Sequence, residues 1–471
     1  MTSLLDDLRT AIGAEHVLTD PADLAAYATD WRGAYRGTPL AAVRPGSTAE
    51  VAAVVRLTHD AGVAIVPQGG NTGMCGGAVP SDDGTQVVLS LGRMRSVREI
   101  DAVGATITVD AGIVLADVQA AAAAVDRLFP LSLGAEGSCT IGGNIATNAG
   151  GTAVLRYGMM RAQVLGLEVV LPDGRLWDGL RSLRKDNAGY DLAQLFIGSE
   201  GTLGVITGAV LTLQPATPAR ATAWVALPSV SAAASLLPLL REYAAERLTT
   251  WELVSRPALD LSVAAGVPDV LTSDAEWFGL IEIAGPAGAS VDDDLERALG
   301  AGVEAGCVLD AVVAGSPAQR SSLWDLRERI SEAQESLGPT IKHDVAVPIT
   351  ALDELVSRLG PALKQALPGV RPVVFGHIGD GNLHYNLSRP ASLPPAEFLS
   401  HADGLSRIVH DLTHQLGGSI SAEHGLGSGK AAAAAAYKSD VELSLMRAVK
   451  DALDPAGLMN PGKVIAPIVS P

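Results

Sequence analysis

Apolar residues recur along the chain at two spacings, and the spacing changes from one segment to the next. Short apolar runs bounded by glycine or proline are typical of strands, as in VAIVPQ (63–68), ATITVDAG (105–112) and GTLGVITGAVLTL (201–213). Segments such as TAEVAAVVRLTHDAG (48–62) instead place apolar residues three and four positions apart, which predicts amphipathic helices. This mixture of strands and helices predicts an α+β or α/β domain.

The character of the sequence changes near residue 215. The segment QPATPARATAWVALPS (214–229) carries three prolines and indicates a domain boundary. Beyond it, strand-like runs such as WFGLIEIAG (277–285) alternate with long helical stretches, and the last part of the chain is mostly helical. We therefore expect a first domain at 1–215, a second at 216–425 and a helical segment at 426–471.

The charge balance excludes one class of partner. The 471 residues include 34 Lys and Arg against 52 Asp and Glu, which gives a formal charge of −18. Binding to nucleic acid or to an anionic membrane needs clustered cations, so neither is expected as a partner. An anionic ligand would have to be attracted by a local group of Lys and Arg side chains.

Cysteine usage and the absence of long apolar runs indicate a reducing, aqueous compartment. Cys75, Cys139 and Cys307 lie far apart, which argues against a disulfide framework and against a zinc site made of cysteine alone. The N-terminal stretch is acidic and amphipathic, unlike a secretory leader, and no run of eighteen strongly apolar residues occurs. We expect a soluble cytoplasmic protein with no integral membrane segment.

Three glycine-rich loops stand next to predicted strands, at 67–80, 134–151 and 197–207. Glycine allows backbone N–H groups to approach an anion closely, although a single loop of this kind is equally consistent with a tight surface turn. Three of them in one domain predict an extended cofactor that contains a pyrophosphate. None has the spacing of a Rossmann dinucleotide site, and GLGSGKA (425–431) lacks the first glycine and the final hydroxyl of a P-loop.

A candidate metal site lies in the second half of the chain. His377 and His384 flank a glycine-rich turn, and His384 and Asn386 share one face of the strand that follows it. Glu423 comes about forty residues later. Two imidazoles and one carboxylate are typical of a catalytic divalent site that could hold zinc, iron or manganese.

A candidate anion site precedes it. Arg327 and Ser331 are four residues apart in a predicted helix, LWDLRERISEA, and Lys342 follows at the start of a strand. An Arg fork and a Lys charge together suit a carboxylate. The alternative is a solvated Arg paired with one of the neighbouring Glu residues.

Four longer motifs carry a family resemblance: SLRKDNAGYDLAQLFIGSEGTLGVIT (182–207), FGHIGDGNLHYN (375–386), SAEHGLG (421–427) and MNPGK (459–463). Together with the glycine-rich loops, they resemble the FAD-linked D-2-hydroxy-acid dehydrogenases of the vanillyl-alcohol-oxidase-type flavoprotein superfamily. The resemblance extends over nearly the whole chain. It implies an α+β fold in which the FAD-binding domain draws on both chain ends, with 426–471 packing back on it, and an α+β substrate domain lies between.

The resemblance also implies the roles of individual residues. His377, His384 and Glu423 match zinc ligands, His424 matches the catalytic base, and the matching substrate contacts are Arg327, Ser331, Lys342, Asn386 and His424. Ser331 replaces a more common Thr and keeps its hydroxyl. The residues that match the lining of the FAD site are Pro67, Gly69, Gly70, Asn71, Thr72, Gly73, Gly134, Gly137, Ser138, Gly143, Asn144, Thr147, Asn148, Gly150, Glu200, Gly201, Gly204, Ile206 and Asn460.

The implied reaction is oxidation of a D-2-hydroxy acid to the 2-oxo acid, with D-2-hydroxyglutarate as the best match and hydride transfer to flavin N5. The metal would act as a Lewis acid on the substrate hydroxyl, and His424 would either accept its proton or only orient Glu423. The alternatives are a D-lactate or glycolate dehydrogenase of the same architecture, a metal-dependent hydrolase or lyase, and a flavin-binding protein without activity. The expected partners are an electron acceptor, such as an electron-transfer flavoprotein or a quinone, and a second copy in a homodimer.

The first glycine-rich loop predicts that FAD is held without a covalent bond. Some members of the superfamily attach the flavin to a histidine in this loop, where the present chain has Asn71. Acid precipitation of the purified protein is therefore expected to release all of the yellow colour into the supernatant. Colour that stays in the pellet would contradict this prediction.

Overall fold

The computed structural model of the chain describes residues 2–466 and divides into two compact units. The first unit contains the chain up to residue 151, residues 158–215 and the part from residue 423 onward. The second unit contains residues 152–157 and 216–422. Residues 423–425, which the sequence analysis places in the second domain, belong to the first unit.

Helices are distributed over the whole chain. In chain order they are α1 (Thr2–Ile12), α2 (Pro21–Ala28), α3 (Thr48–Asp60), α4 (Leu115–Ala123), α5 (Ile141–Ala146), α6 (Val154–Tyr157), α7 (Met160–Gln163), α8 (Ala193–Phe196), α9 (Val230–Ala244), α10 (Arg256–Ala264), α11 (Val291–Glu304), α12 (Pro317–Glu328), α13 (Ile330–Glu335), α14 (Leu352–Ala366), α15 (Pro395–Ser400), α16 (Ala402–Gln415), α17 (Ala431–Ala435) and α18 (Asp440–Leu453).

Strands accompany them in both units. In chain order they are β1 (Val17–Leu18), β2 (Ala41–Val43), β3 (Ile65–Gln68), β4 (Val87–Ser90), β5 (Val97–Asp101), β6 (Thr106–Asp110), β7 (Arg127–Leu128), β8 (Val164–Val170), β9 (Leu176–Gly179), β10 (Val205–Thr212), β11 (Gln214–Pro215), β12 (Ala219–Leu227), β13 (Leu248–Ser255), β14 (Trp277–Gly285), β15 (Asp310–Val313), β16 (Thr340–Ile341), β17 (Asp344–Ala346), β18 (Arg371–Gly376) and β19 (Asn382–Ser388).

Short polar side chains begin several of the helices. Ser47, Ser229, Ser316 and Ser439 each accept a hydrogen bond from a backbone N–H three residues later, at the starts of α3, α9, α12 and α18. Asp20 does the same for Ala22 ahead of α2, whose first residue is proline. These side chains satisfy N–H groups that have no partner inside the helix, so the helix starts are fixed locally by sequence.

The first unit is built around two sheets. One has the order β1-β2-β4-β3, in which β2 and β3 both run parallel to β4, and the other is antiparallel with the order β5-β6-β10-β8-β9. One apolar core joins them and includes the fully buried side chains of Val43, Leu89, Ile107, Val169 and Leu211. The core is aliphatic, as the low aromatic content leads one to expect.

The second unit is built on one large antiparallel sheet. Its strand order is β15-β12-β14-β13-β18-β19-β16, and β17 also pairs with β19. One face is apolar and packs with α9, α11, α14 and α16, through buried residues such as Trp251, Ile281 and Tyr385. The other face carries a second apolar cluster near α10 and α12, in which Trp224 stacks on Phe278 and which extends to Val254 and Phe375. The predicted α+β fold class is confirmed.

None of the helices within residues 2–466 combines the length and the apolar composition that a membrane crossing needs.

The first two glycine-rich loops of the first unit pack against each other. A Cβ added to Gly69 would come within 2.2 Å of Thr140 Oγ1, and one added to Gly70 would come within 2.0 Å of the carbonyl oxygen of Ser138. The backbones therefore approach each other more closely than any side chain allows. At Gly73, by contrast, an added Cβ would have no atom of the described residues within 4 Å.

This difference predicts that two neighbouring substitutions change the free energy of unfolding by different amounts. Gly70→Ala should lower the free energy of unfolding by about 1–3 kcal/mol, because the new methyl group overpacks a rigid backbone contact. Gly73→Ala, the matched control, should change it by less than about 0.5 kcal/mol. Urea unfolding of the flavin-free protein, followed by circular dichroism, measures both. Equal unfolding midpoints for the two variants would show that the loop contact is not rigid.

Candidate functional site

The glycine-rich loops of the first unit present bare backbone at several predicted cofactor positions. A Cβ added to Gly73, Gly134 or Gly137 would meet no atom of the described residues within 4 Å. The second loop leads into α5, which carries Gly143 and Asn144. Loops of this kind suit a ligand that is recognised by backbone N–H groups, which is how proteins commonly bind a pyrophosphate. The residues present therefore fit the cofactor that the sequence resemblance implies.

Four residues of the predicted cofactor set have left-handed backbone, as do Ala105, Asp126, Ala245 and Val464 outside it. Asn71, Asn148, Glu200 and Asn460 have φ values of 53°, 48°, 51° and 44°, in the left-handed region that side chains other than glycine rarely adopt. Asparagine tolerates this conformation better than most residues, whereas Glu200 does not. Such strain persists where the surroundings impose it, and it is found preferentially at ligand sites.

Glu200 and Asn460 fasten loops of the first unit to one another. The Glu200 carboxylate accepts hydrogen bonds from the backbone N–H groups of Leu426 (2.7 Å) and Gly427 (2.8 Å). Asn460 Nδ2 donates to the carbonyl oxygens of Glu200 and Gly77. Burial raises the pKa of the Glu200 carboxyl, although the two N–H groups and two lysines oppose that shift. Sequence reasoning placed Glu200 and Asn460 at the cofactor but did not find these side-chain contacts.

Other predicted cofactor positions lie in tight packing. A Cβ added to Gly204 would come within 2.8 Å of Val169 Cγ1, and one added to Gly201 within 3.1 Å of Pro67 Cγ. Ile206 is buried in the core of the first unit. The glycines at 201 and 204 therefore let β10 approach β8 and the end of β3.

In the second unit, several polar residues lie on one face of the large sheet. This face is opposite to the apolar face that packs with α9, α11, α14 and α16. Successive side chains of a strand point to opposite faces of the sheet. Glu252 therefore points to the face opposite that of Trp251 in β13. In β19, His384 and Asn386 point to the face opposite that of Tyr385. His377 follows β18 directly. The structure thus brings the two predicted histidine ligands together, with ring centroids 5.7 Å apart.

Glu252 is the carboxylate on this face that contacts both a predicted metal ligand and a predicted anion-binding residue. The sequence analysis did not identify it. The carboxylate is fully buried, and it contacts His377 Nδ1 through Oε1 at 2.6 Å and Arg327 Nε through Oε2 at 2.7 Å. Burial raises the pKa of this carboxyl, but the charges of His377 and Arg327 and their hydrogen bonds outweigh burial and lower the pKa to about 2. The Arg327 guanidinium also lies over the Phe375 ring, 4.7 Å from its centre.

Asp344 is a second buried carboxylate that the sequence analysis missed. β17 pairs with β19 so that Asp344 lies directly opposite His384, with Oδ1 4.0 Å from His384 Nδ1. Its carboxylate accepts hydrogen bonds from Asn382 Nδ2 (2.8 Å) and from the backbone N–H of Ala422 (3.1 Å). The ligand atoms of Asp344 and His384 are close enough to share one metal ion, within 4.8 Å.

Glu423 and His424 begin the return of the chain into the first unit. Their side chains are partly buried, with Glu423 Oε1 3.9 Å from His424 Nε2. Glu423 is bonded to Ala422, the residue whose N–H is held by Asp344.

The predicted anion-binding residues are divided by a break in their helix. The sequence predicts one helix through Arg327 and Ser331, but α12 ends at Glu328 and α13 begins at Ile330. Arg327 is buried because its side chain turns toward Glu252 in the sheet. Ser331, on the next helix, is exposed. Lys342 Nζ lies 3.8 Å from Glu335 Oε1.

Asn386, a predicted substrate contact, is held within a buried amide network. Its Oδ1 accepts a hydrogen bond from the backbone N–H of His343, and its Nδ2 donates to Gln334 Oε1. His343 itself contacts the Tyr385 carbonyl and the Ser406 hydroxyl through its two ring nitrogens. These contacts fix the orientation of the Asn386 amide beside His384.

Two family models match the chain. Residues 39–179 match an FAD-binding domain, and residues 216–464, more than half of the chain, match the C-terminal domain of FAD-linked oxidases. The D-2-hydroxyglutarate dehydrogenase of Xanthomonas citri pv. viticola is 40% identical over 461 residues, 97% of this chain and 96% of its own. The mitochondrial D-2-hydroxyglutarate dehydrogenase of Bos taurus is 39% identical over 453 residues, 95% of this chain and 81% of its own.

Solved structures agree on the fold. p-Cresol methylhydroxylase with bound substrate superimposes with a TM-score of 0.79 at 17% identity and covers 99% of this chain and 97% of its own. 4-Ethylphenol oxidase from Gulosibacter chungangensis, in complex with isoeugenol, gives a TM-score of 0.76 at 20% identity, with the same coverage of 99% and 97%. At these identities the likeness concerns the fold alone. The chain belongs to the FAD-linked D-2-hydroxy-acid dehydrogenases of the vanillyl-alcohol-oxidase-type superfamily, which are oxidoreductases that act on CH–OH donors.

Proposed function

We propose that this chain oxidises D-2-hydroxyglutarate to the 2-oxo acid, with FAD and a divalent metal as cofactors. One observation carries the proposal: a buried sheet face of the second unit holds a cation, Arg327, through the same carboxylate that holds a histidine, His377. A dicarboxylic hydroxy acid needs both a cationic group and a metal-binding group at fixed spacing. The names of the relatives at about 40% identity support this choice of substrate.

FAD would be held by the loops of the first unit, without a covalent bond. When bound, FAD accepts the hydride that leaves C2 of the substrate. The chain contributes the bare backbone near Gly73, Gly134 and Gly137, and Asn71 Nδ2 ties the first loop to the Thr29 carbonyl oxygen. The hydrogen bonds of Glu200 and Asn460 hold the neighbouring loops together.

The metal would be zinc, held by His377, His384 and Glu423. A divalent ion supplies Lewis acidity that favours loss of the hydroxyl proton. The bond from His377 Nδ1 to Glu252 would leave Nε2 as the ring nitrogen that binds the ion. Asp344 lies against His384 and holds the N–H of the residue before Glu423, which supports an arrangement of the three ligands around one ion.

Substrate carboxylates would contact Arg327 and Lys342, with Ser331 and Asn386 as neutral partners. The Nε of Arg327 is bonded to Glu252, so its terminal nitrogens are the ones that can bind a carboxylate. His424 would accept the hydroxyl proton, since imidazole is the side chain that exchanges protons near neutral pH. Its position next to Glu423 in the chain would bring it to the metal-bound end of the substrate.

We further propose that the reduced enzyme passes electrons to an electron-transfer flavoprotein or a quinone, that it acts in the cytoplasm and that it forms a homodimer. A protein acceptor with a basic docking surface would be attracted by the net charge of −18.

A flavin-reduction panel tests the proposed function directly. The oxidised protein is mixed anaerobically, in a stopped-flow instrument, with the D- and L-isomers of lactate, malate and 2-hydroxyglutarate, and with glycolate. The fastest bleaching should occur with D-2-hydroxyglutarate. Faster reduction by D-lactate or glycolate would favour a monocarboxylate dehydrogenase, and no reduction by any hydroxy acid would refute the proposal.

Removal of the metal should stop the reaction without releasing the flavin. Chelation is expected to abolish substrate-driven bleaching, and added Zn²⁺ should restore it. His384→Ala, His377→Ala and Glu423→Ala should each behave like the chelated protein, because loss of one ligand in three opens the site. Metal analysis and flavin absorbance measure the effect. His401→Ala, which changes an exposed histidine, is the control, and a ligand variant that stays active without metal would refute the assignment.

Arg327→Ala should discriminate between substrates. Removal of one partner of a desolvated charge pair costs about 2–5 kcal/mol, so kcat/KM for D-2-hydroxyglutarate should fall roughly 30- to 3,000-fold. D-Lactate has no remote carboxylate, and its weak turnover should change far less. The control is Arg220→Ala, which removes another arginine paired with a buried glutamate of the same sheet. Equal losses for both substrates would place Arg327 at the shared C1 carboxylate.

A further inference from the structure

Glu252 links the metal end of the proposed site to its carboxylate-binding end. Each of its two oxygens accepts one hydrogen bond, Oε1 from His377 Nδ1 at 2.6 Å and Oε2 from Arg327 Nε at 2.7 Å. All three side chains belong to the second unit and are buried. A side chain on β13 therefore sets the geometry of two groups that come from elsewhere in the sequence, one after β18 and one on α12.

We propose that Glu252 is a positioning residue of this enzyme, which fixes the tautomer of the His377 imidazole and the direction of the Arg327 guanidinium. The inference rests on the proposed function. A carboxylate at Nδ1 keeps the proton on that nitrogen, and Nε2 then carries the lone pair that a metal requires. The same carboxylate accepts from Arg327 Nε–H, which leaves the N–H groups of the terminal nitrogens as donors for a substrate carboxylate.

Glutamine cannot replace Glu252 in this double role. The carboxylate accepts at both oxygens, whereas a carboxamide accepts at one end and donates at the other. A donor next to His377 Nδ1 would favour the tautomer with its proton on Nε2, and a protonated Nε2 cannot bind a metal. A donor next to Arg327 Nε would instead break that contact and leave the guanidinium without its anchor. In either orientation Glu252→Gln breaks one of the two contacts, and the loss of the negative charge weakens the other.

Glu282 provides a matched control within the same sheet. It lies on β14, next to β13, and is buried like Glu252. Its oxygens also accept from several donors, namely Arg220 Nη1, the Thr222 hydroxyl and Trp324 Nε1. None of these three donors belongs to the proposed site. Glu282→Gln therefore creates the same type of buried defect without touching His377 or Arg327.

The first test measures metal affinity. Flavin-loaded wild-type, Glu252→Gln and Glu282→Gln proteins are stripped of metal and titrated with Zn²⁺ in competition with a chromophoric chelator. Flavin content and thermal unfolding confirm that each variant is folded. Loss of a partner that orients a metal-binding histidine typically weakens binding ~10- to 100-fold, and we expect a loss of this size for Glu252→Gln alone.

The second test separates the two roles of Glu252. At saturating Zn²⁺ the effect on His377 is overcome, and the effect on Arg327 remains. KM for D-2-hydroxyglutarate should then rise about 10-fold in Glu252→Gln, as expected for one weakened charge-assisted hydrogen bond, while KM for D-lactate changes less than about twofold. A residue with a purely structural role would raise neither KM selectively.

A second variant covers the case in which Glu252→Gln does not fold. Glu252→Asp keeps the negative charge but withdraws the carboxylate by one methylene, which breaks both hydrogen bonds, and it should also bind Zn²⁺ less tightly than wild type. The inference is overturned if both variants bind Zn²⁺ as tightly as wild type, or if Glu282→Gln loses as much affinity. Wild-type protein that binds no Zn²⁺ would overturn the proposed metal dependence as well.

Discussion

The arrangement of polar side chains in the second unit depends on one fully buried carboxylate. An anion without access to water must be paired with hydrogen-bond donors that the fold itself supplies. Glu252 meets this requirement with one donor for each oxygen, His377 Nδ1 and Arg327 Nε. Its demand for donors explains why α12 turns Arg327 inward, although arginine at the end of a helix is usually solvated. The same demand explains why a histidine, rather than an apolar residue, follows β18 on this face.

The large sheet carries its apolar core residues on one face and the candidate site residues on the other. Successive residues of a strand point to opposite faces, so Trp251 and Tyr385 enter the apolar core while Glu252 and His384 face the polar side. The register of β17 with β19 then sets Asp344 opposite His384. A shift of one residue in either strand would exchange the two faces and destroy both the core and the site.

The first unit relies on backbone in place of side chains. Its glycine-rich loops touch each other at Gly69 and Gly70, where a Cβ would collide with Thr140 and Ser138, and they leave bare backbone at Gly73. The first loop is further held by Asn71 Nδ2, which donates to the Thr29 carbonyl oxygen, and by Asn460 Nδ2, which donates to the Gly77 carbonyl oxygen. Such an arrangement suits a large, extended cofactor whose phosphates are recognised by N–H groups.

The sequence by itself determined the features that depend on neighbours in the chain. Alternating apolar runs defined the α+β elements, glycine spacing marked the cofactor loops, and the His377 and His384 pair could be found because one tight turn joins their positions. Only the tertiary structure decided that Glu252 lies between His377 and Arg327, that the helix breaks before Ser331, and that Glu200 binds the loop at 426–427. The contacts of Glu252 and Glu200 were hidden because they join residues 75 to 227 positions apart, and a buried charge finds its partners through the packing of distant elements.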